Sequence, residues 1–244
     1  MTNIVIRLPG GGRIRKRDEK QDIEWWGYRN YFIDTDFYND LEKLISKNKN
    51  FNFYFISGGV GAFIYTNLCD SLELHKDLRD EVGCTIVSVM HKILIEKLKN
   101  SAVRIYPEEI SFDDINVVES RGFNSFFVMP EKRFLSTDSL AANVGQIVSA
   151  KMIIYIKEGA PLFHVGFDEA TVVNAWEIDD IRRRAKGVQG NYILDSDALG
   201  VIENLITKNK TRTLILSPGQ LKEINMEDDN FGLGQMTSFT EVIK

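Results

Sequence analysis

Residues 133–157 read RFLSTDSLAANVGQIVSAKMIIYIK, and this stretch decides the fold. Ser136, Thr137 and Asp138 are side chains that accept hydrogen bonds from the first free N–H groups of a helix, so a helix is predicted over 138–149 with Ser136 and Thr137 as its caps. Met152–Ile156 (MIIYI) is apolar at every position, the pattern of a strand covered on both faces rather than one. Lys157 ends that strand, which puts a cation at its carboxyl edge.

The same alternation extends outward. Strands are expected at Asn3–Leu8 (NIVIRL, stopped by Pro9 and three glycines), Asn52–Ser57 (NFYFIS, stopped by Gly58, Gly59 and Gly61), Val103–Tyr106, Ser125–Met129, Thr213–Leu216 and, closing the chain, near Met236–Val242. Helices are expected at Asp34–Asn48, with Phe37, Leu41, Leu44 and Ile45 on one face and Asp36 near its start, from Gly61 onward, and at Phe112–Ser120, Glu177–Ala185 and Ser196–Lys208. A further helix over His75–Lys99 carries Val82, Ile86, Val89, Ile93 and Leu98 at helical spacing. Apolar strands alternating with helices predict a three-layer α/β sandwich with a mainly parallel central sheet covered by helices on both faces. No linker divides the 244 residues, so one domain is expected. In such sheets ligands sit outside the carboxyl ends of the strands.

Composition narrows the partners. A net charge of -5 disfavours a nucleic-acid or anionic-membrane surface but leaves a small anionic ligand open, because that responds to local charge. Two cysteines, Cys69 and Cys84, are too few for a disulfide framework; Cys84 reads as a buried free thiol within an apolar helix. MTNIVIRLPGGG has no secretory pattern and no window is apolar enough to span a bilayer, so a cytoplasmic location is expected.

Four stretches could carry chemistry, all at predicted carboxyl ends of strands. Gly10, Gly11 and Gly12 would let backbone amides approach an anion, with Arg13, Arg15, Lys16 and Arg17 just behind; a solvated loop is the plain alternative. Ser57-Gly58-Gly59-Val60-Gly61-Ala62 lies between a strand and a helix whose N-terminus would add free N–H groups, or else is only a tight turn. It matches neither the Walker pattern nor GxGxxG. Asp138 could orient cations or magnesium while Ser136 and Thr137 contact an acceptor or phosphate, although capping alone explains these residue types. Lys157 would face the same crevice. His75, His91 and His164 have no metal-ligand spacing, and His91 reads as a structural histidine. Trp25, Trp26, Tyr28, Tyr31 and Phe32 form an aromatic cluster suited to core or subunit contact.

NIVIRLPGG, FISGGVGA and RFLSTDSLAANVGQIVSAKMIIYIK resemble the amino-acid kinase superfamily, and within it the uridylate kinase branch most. The resemblance implies ATP and Mg2+ as cofactors, Asp138 as organiser of the transfer site and a magnesium ligand, and Arg7, Asp138 and Lys157 as the catalytic set. It further implies Lys157 as a nucleotide contact, Gly10, Gly11, Gly12, Gly58, Gly59 and Gly61 as the backbone cradle, and Ser136 and Thr137 facing the acceptor. About 1–130 would be the acceptor half and about 131–244 the nucleotide half. A homo-oligomer, dimer or hexamer, or a hetero-oligomer with a paralogue is implied as well. Two departures stand out: Arg7 occupies the place of a lysine, and EGAPLFHVGFDEA after Lys157 lacks the Asp-Gly and Asp-Pro pairs usual there. The tail, with Pro218-Gly219-Gln220-Leu221, also resembles the molybdenum storage proteins, which bind ATP and deposit molybdate. Three readings therefore stand: a kinase for a nucleoside monophosphate (UMP-like) or other small acceptor, a non-catalytic binder of nucleotide and molybdate-like oxyanions, and an assembly subunit that has lost its site.

Overall fold

The apolar strands pair into one sheet because each has two faces to bury. The computed structural model describes residues 1–9, 14–16, 31–33, 35–58, 60–100, 103–118, 121–134, 136–157, 160, 162–164, 170–172, 175–185, 194–224, 226 and 239–244. In chain order these hold β1 (Thr2–Leu8), β2 (Ile14–Lys16), β3 (Tyr31–Ile33), α1 (Thr35–Lys47), β4 (Phe51–Ser57), α2 (Val60–Ser71), α3 (Lys76–Lys99) and β5 (Ile105–Ile110). They continue with α4 (Ile115–Val118), β6 (Ser125–Val128), α5 (Thr137–Ile147), β7 (Met152–Ile156), β8 (Leu162–His164), β9 (Ala170–Val172) and β10 (Ala175–Glu177). The last are α6 (Ile178–Ala185), α7 (Ser196–Asn204), β11 (Arg212–Leu216) and β12 (Thr240–Ile243). The main sheet has eight strands in the order β10-β12-β11-β7-β1-β4-β6-β5; β2 with β3 and β8 with β9 form two small antiparallel pairs. Among the described residues, only the β11–β12 pairing in the main sheet is antiparallel.

Successive residues of each strand enter opposite cores. Val5, Tyr54, Phe126, Ile153, Tyr155 and Ile215 pack against α4, α5, α6 and α7, whereas Ile4, Ile6, Phe53, Phe127, Ile154 and Leu214 pack against α1, α3 and the 3-10 turn Pro218–Glu223. The three-layer arrangement is thus the one expected. No helix among the described residues is long and apolar enough to cross a membrane.

Several elements differ from expectation, each for a physical reason. Val89 and Ile93 on α3 are 46% and 50% exposed, and the buried face is Val87, His91, Leu94, Ile95 and Leu98. Of the residues noted for their helical spacing Leu98 is buried, and Val89 and Ile93 stand on a second apolar side that faces outward. β5, expected at Val103–Tyr106, starts at Ile105 and runs on through Pro107, Glu108 and Glu109; an edge strand tolerates both proline and charge. α4 is a single turn. Cys69 is the buried thiol and Cys84 is half-buried, its pKa raised mainly by what burial it has. The closing strand is Thr240–Ile243, and β10, with three residues, is too short for its pattern to be read.

α5 lies against β1, β4 and β7, and Gly145 permits the approach. A Cβ there would stand 3.1 Å from Ile153 Cγ1 and closer still to its Cδ1. Gly145→Ala should therefore lower stability by about 1 kcal/mol or more, overpacking outweighing the gain in helix propensity. Urea denaturation reads this, and an unchanged or raised midpoint would refute it.

Candidate functional site

β1 is flanked by β4 and β7, so Arg7 lies level with Ile56 on one side and Tyr155 on the other. It shares the face of Val5, beneath the start of α5. A guanidinium in that position must be neutralised. Asp138, in the first turn of α5, does this: its Oδ1 is 2.8 Å from Arg7 Nε, a contact of charge rather than an aligned hydrogen bond. Its Oδ2 accepts from Lys157 Nζ at 2.5 Å. Arg7, Asp138 and Lys157 side chains are only 11%, 9% and 16% exposed.

The remaining donors of Arg7 fix its orientation. Nη1 donates to the Leu8 carbonyl at 3.3 Å and Nη2 to Thr137 Oγ1 at 3.4 Å. Gly58 donates its N–H to the Leu8 carbonyl at 3.0 Å, and a Cβ on Gly58 would stand 2.6 Å from Arg7 Cζ. The glycine is required by this close approach. Lys157 is held in line by its own N–H, which donates to the Leu216 carbonyl at 2.8 Å.

Ser136 caps α5, accepting the Ser139 N–H at 2.9 Å, and its hydroxyl makes a short hydrogen bond to Asp195 Oδ2. Asp195 caps α7 in turn, Oδ1 accepting the Ala198 N–H at 2.8 Å. Two helix N-termini are thereby joined beside the cations. The Tyr155 hydroxyl donates to the Asp138 carbonyl at 3.2 Å.

Charges here shift one another. Burial alone would raise the Asp138 carboxyl, but the Arg7 and Lys157 charges outweigh it and hold it below the ordinary value. Burial, reinforced by the Arg7 charge, lowers Lys157 to about 8, with Asp138 and Asp195 pulling the other way. Burial raises Tyr155, so its hydroxyl keeps its proton as a donor. Two cations thus share the Asp138 carboxylate at the carboxyl ends of β1 and β7, with Asp195 close enough to act on Lys157.

Of the residues expected from sequence, Arg7, Gly58, Ser136, Thr137, Asp138 and Lys157 come together here. Gly61 lies in the first turn of α2. Gly10, Gly11, Gly12, Gly59, Trp25, Trp26, Tyr28 and most of the loop after Lys157 lie outside the described residues. Asp138 does not suit a magnesium ligand, since both its oxygens already face cations. No group of three or more metal-binding side chains occurs among the described residues. Sequence reading missed Asp195 and Tyr155; the signal for Asp195 was there, because LDSDAL opens a helix with the same capping pattern as LSTDSL.

No family model and no curated protein sequence matches the chain. Solved structures do. Uridylate kinase from Archaeoglobus fulgidus superposes with a TM-score of 0.71 at 13% identity over 100% of both chains. UMP kinase from Ureaplasma parvum gives 0.65 at 18% identity, covering 100% of this chain and 99% of that one. UMP kinase from Bacillus anthracis gives 0.68 at 15% identity, covering 99% and 95%. The chain therefore has the fold of these uridylate and UMP kinase structures.

Proposed function

We propose that this protein binds ATP and moves its terminal phosphoryl group to a nucleoside monophosphate or another small phosphate or carboxylate acceptor. The observation that carries this reading is the Arg7–Asp138–Lys157 constellation, at the carboxyl ends of neighbouring parallel strands and at a helix N-terminus. Phosphoryl transfer needs positioning and charge neutralisation more than covalent help from the protein. Lys157 and Arg7 hold the phosphates, Thr137 and the α5 amides flank them, and Asp138 keeps both cations in place. Gly58 and the glycines around it line the acceptor side.

An ionised acceptor is favoured by what is missing from the chemistry. A hydroxyl acceptor must lose a proton to a base, whereas a phosphate or carboxylate oxygen is already ionised near neutral pH. The carboxylates at the site, buried Asp138 and partly buried Asp195, are both engaged by cations or helix caps. ATP fits the two cations. Magnesium that arrives with the nucleotide supplies charge neutralisation on the phosphates, and no side chain is assigned to it. The acceptor half is assigned to about 1–130 and the nucleotide half to about 131–244, in a cytoplasmic setting.

Tyr65 and Leu68 on α2, Leu72 just after its end, and Leu78, Val89 and Ile93 on α3 are each at least 45% exposed, an apolar surface suited to a second copy of the chain. The homo-oligomer is read from this surface. Sedimentation should give a dimer or larger species that Ile93→Glu dissociates; a monomeric wild type would end that reading.

Two further outcomes are expected. Magnesium-dependent ADP release should appear with at least one acceptor in a panel headed by UMP, and Asp138→Asn should lower kcat/KM by about 100-fold or more, as loss of a preorganised electrostatic group does. ATP or molybdate binding with no turnover for any acceptor would instead favour the storage reading. At pH 8 Lys157 is about half charged, and an anion favours its charged form, so ATP binding should take up protons there and weaken as pH rises further. Calorimetry in buffers of different ionisation enthalpy measures this; no uptake, or the same uptake in Lys157→Met, would contradict it.

A further inference from the structure

His91 and Glu109 form a buried pair that the phosphate contacts do not use. His91 sits on the inner face of α3, fully enclosed, its ring 5.1 Å from that of Phe127. Nε2 accepts the backbone N–H of Ser57 at 2.9 Å, and Nδ1 lies 2.5 Å from Glu109 Oε1 on β5. An accepting Nε2 carries no proton, so the ring's proton is on Nδ1 and is donated to Glu109. A histidine that only filled space would have no need of this tautomer. Ser57 is the last residue of β4, and the next residue is Gly58, whose missing Cβ admits the Arg7 guanidinium. A line of contacts thus runs from Glu109 through His91 to the Ser57 amide, then to Gly58, Arg7 and Asp138.

We propose that His91 is a positioning residue, held in one tautomer by Glu109, which fixes the turn at Gly58 and so sets the Arg7 guanidinium for phosphate binding. The proposal rests on the phosphoryl-transfer reading for its purpose, though not for its geometry. A helix of the apolar outer layer and the edge strand would then both act on the site without touching the substrate.

The test uses the full chain, labelled with 15N, as wild type, His91→Leu and His91→Gln. Ring nitrogen shifts should place the His91 proton on Nδ1; a proton on Nε2 would overturn the proposal. In His91→Leu the Ser57 amide loses its acceptor. ATP with magnesium should then bind about tenfold more weakly by calorimetry, and the Arg7 Nε–H should exchange about tenfold faster. Glutamine can offer its carbonyl oxygen to Ser57 and its N–H to Glu109, so His91→Gln should recover most of both effects. A lower melting temperature in His91→Leu with ATP affinity and Arg7 exchange unchanged would make His91 a packing residue only. A wild type that fails to bind ATP would defeat the kinase reading alone, and the ring tautomer and Arg7 exchange would still decide the role of His91.

Discussion

Everything at the carboxyl end of the sheet follows from one placement, a guanidinium on the central strand. Arg7 is among the buried residues and points into the same core layer as Val5. An uncompensated charge there would cost about 3–5 kcal/mol, so a carboxylate has to stand opposite. Asp138 meets that need only if α5 begins above the end of β1, and this alignment brings Thr137, the cap Ser136 and the helix amides to the same spot. Lys157 then binds the second oxygen of Asp138 from the neighbouring strand. Two cations therefore share one carboxylate, which is the feature on which the proposed phosphate binding rests.

Two braces hold this cluster from opposite sides. The Ser136–Asp195 bond joins the starts of α5 and α7, and the His91–Glu109 pair reaches the Gly58 turn from α3 and β5. Both work through groups that would otherwise be ordinary: a pair of helix caps and a core histidine. The capping reading and the proposed functional reading of Ser136 are therefore compatible, because the cap also ties α5 to Asp195.

The layer order and most strands were legible because MIIYI, NIVIRL and NFYFIS are apolar on both faces, a pattern few other environments produce. The convergence of Arg7, Gly58, Asp138 and Lys157 was legible from their shared position at strand ends and from the resemblance of the flanking motifs. The orientation of α3 was not, since a helix with one face on the core and another apolar face outside has no single periodic stripe. Nor could sequence reveal that His91 meets the Ser57 amide: that contact joins residues on separate elements, and no local pattern encodes it. The role of Asp138 as partner to two cations, rather than to a metal, likewise depends on Arg7 standing beside it.

The position of β1 in the middle of the sheet has a consequence for how the chain is made. Its edge toward β4 can pair after a short stretch of synthesis, but Ile4 pairs with Met152 on the other edge. While the intervening chain emerges, an apolar strand bare on one side is available to any other unpaired strand nearby. Such long-range parallel pairing also slows folding, since a large loop must close before the contact repays it. The strand that seats Arg7 is therefore left with an open edge in the nascent chain until β7 has been made.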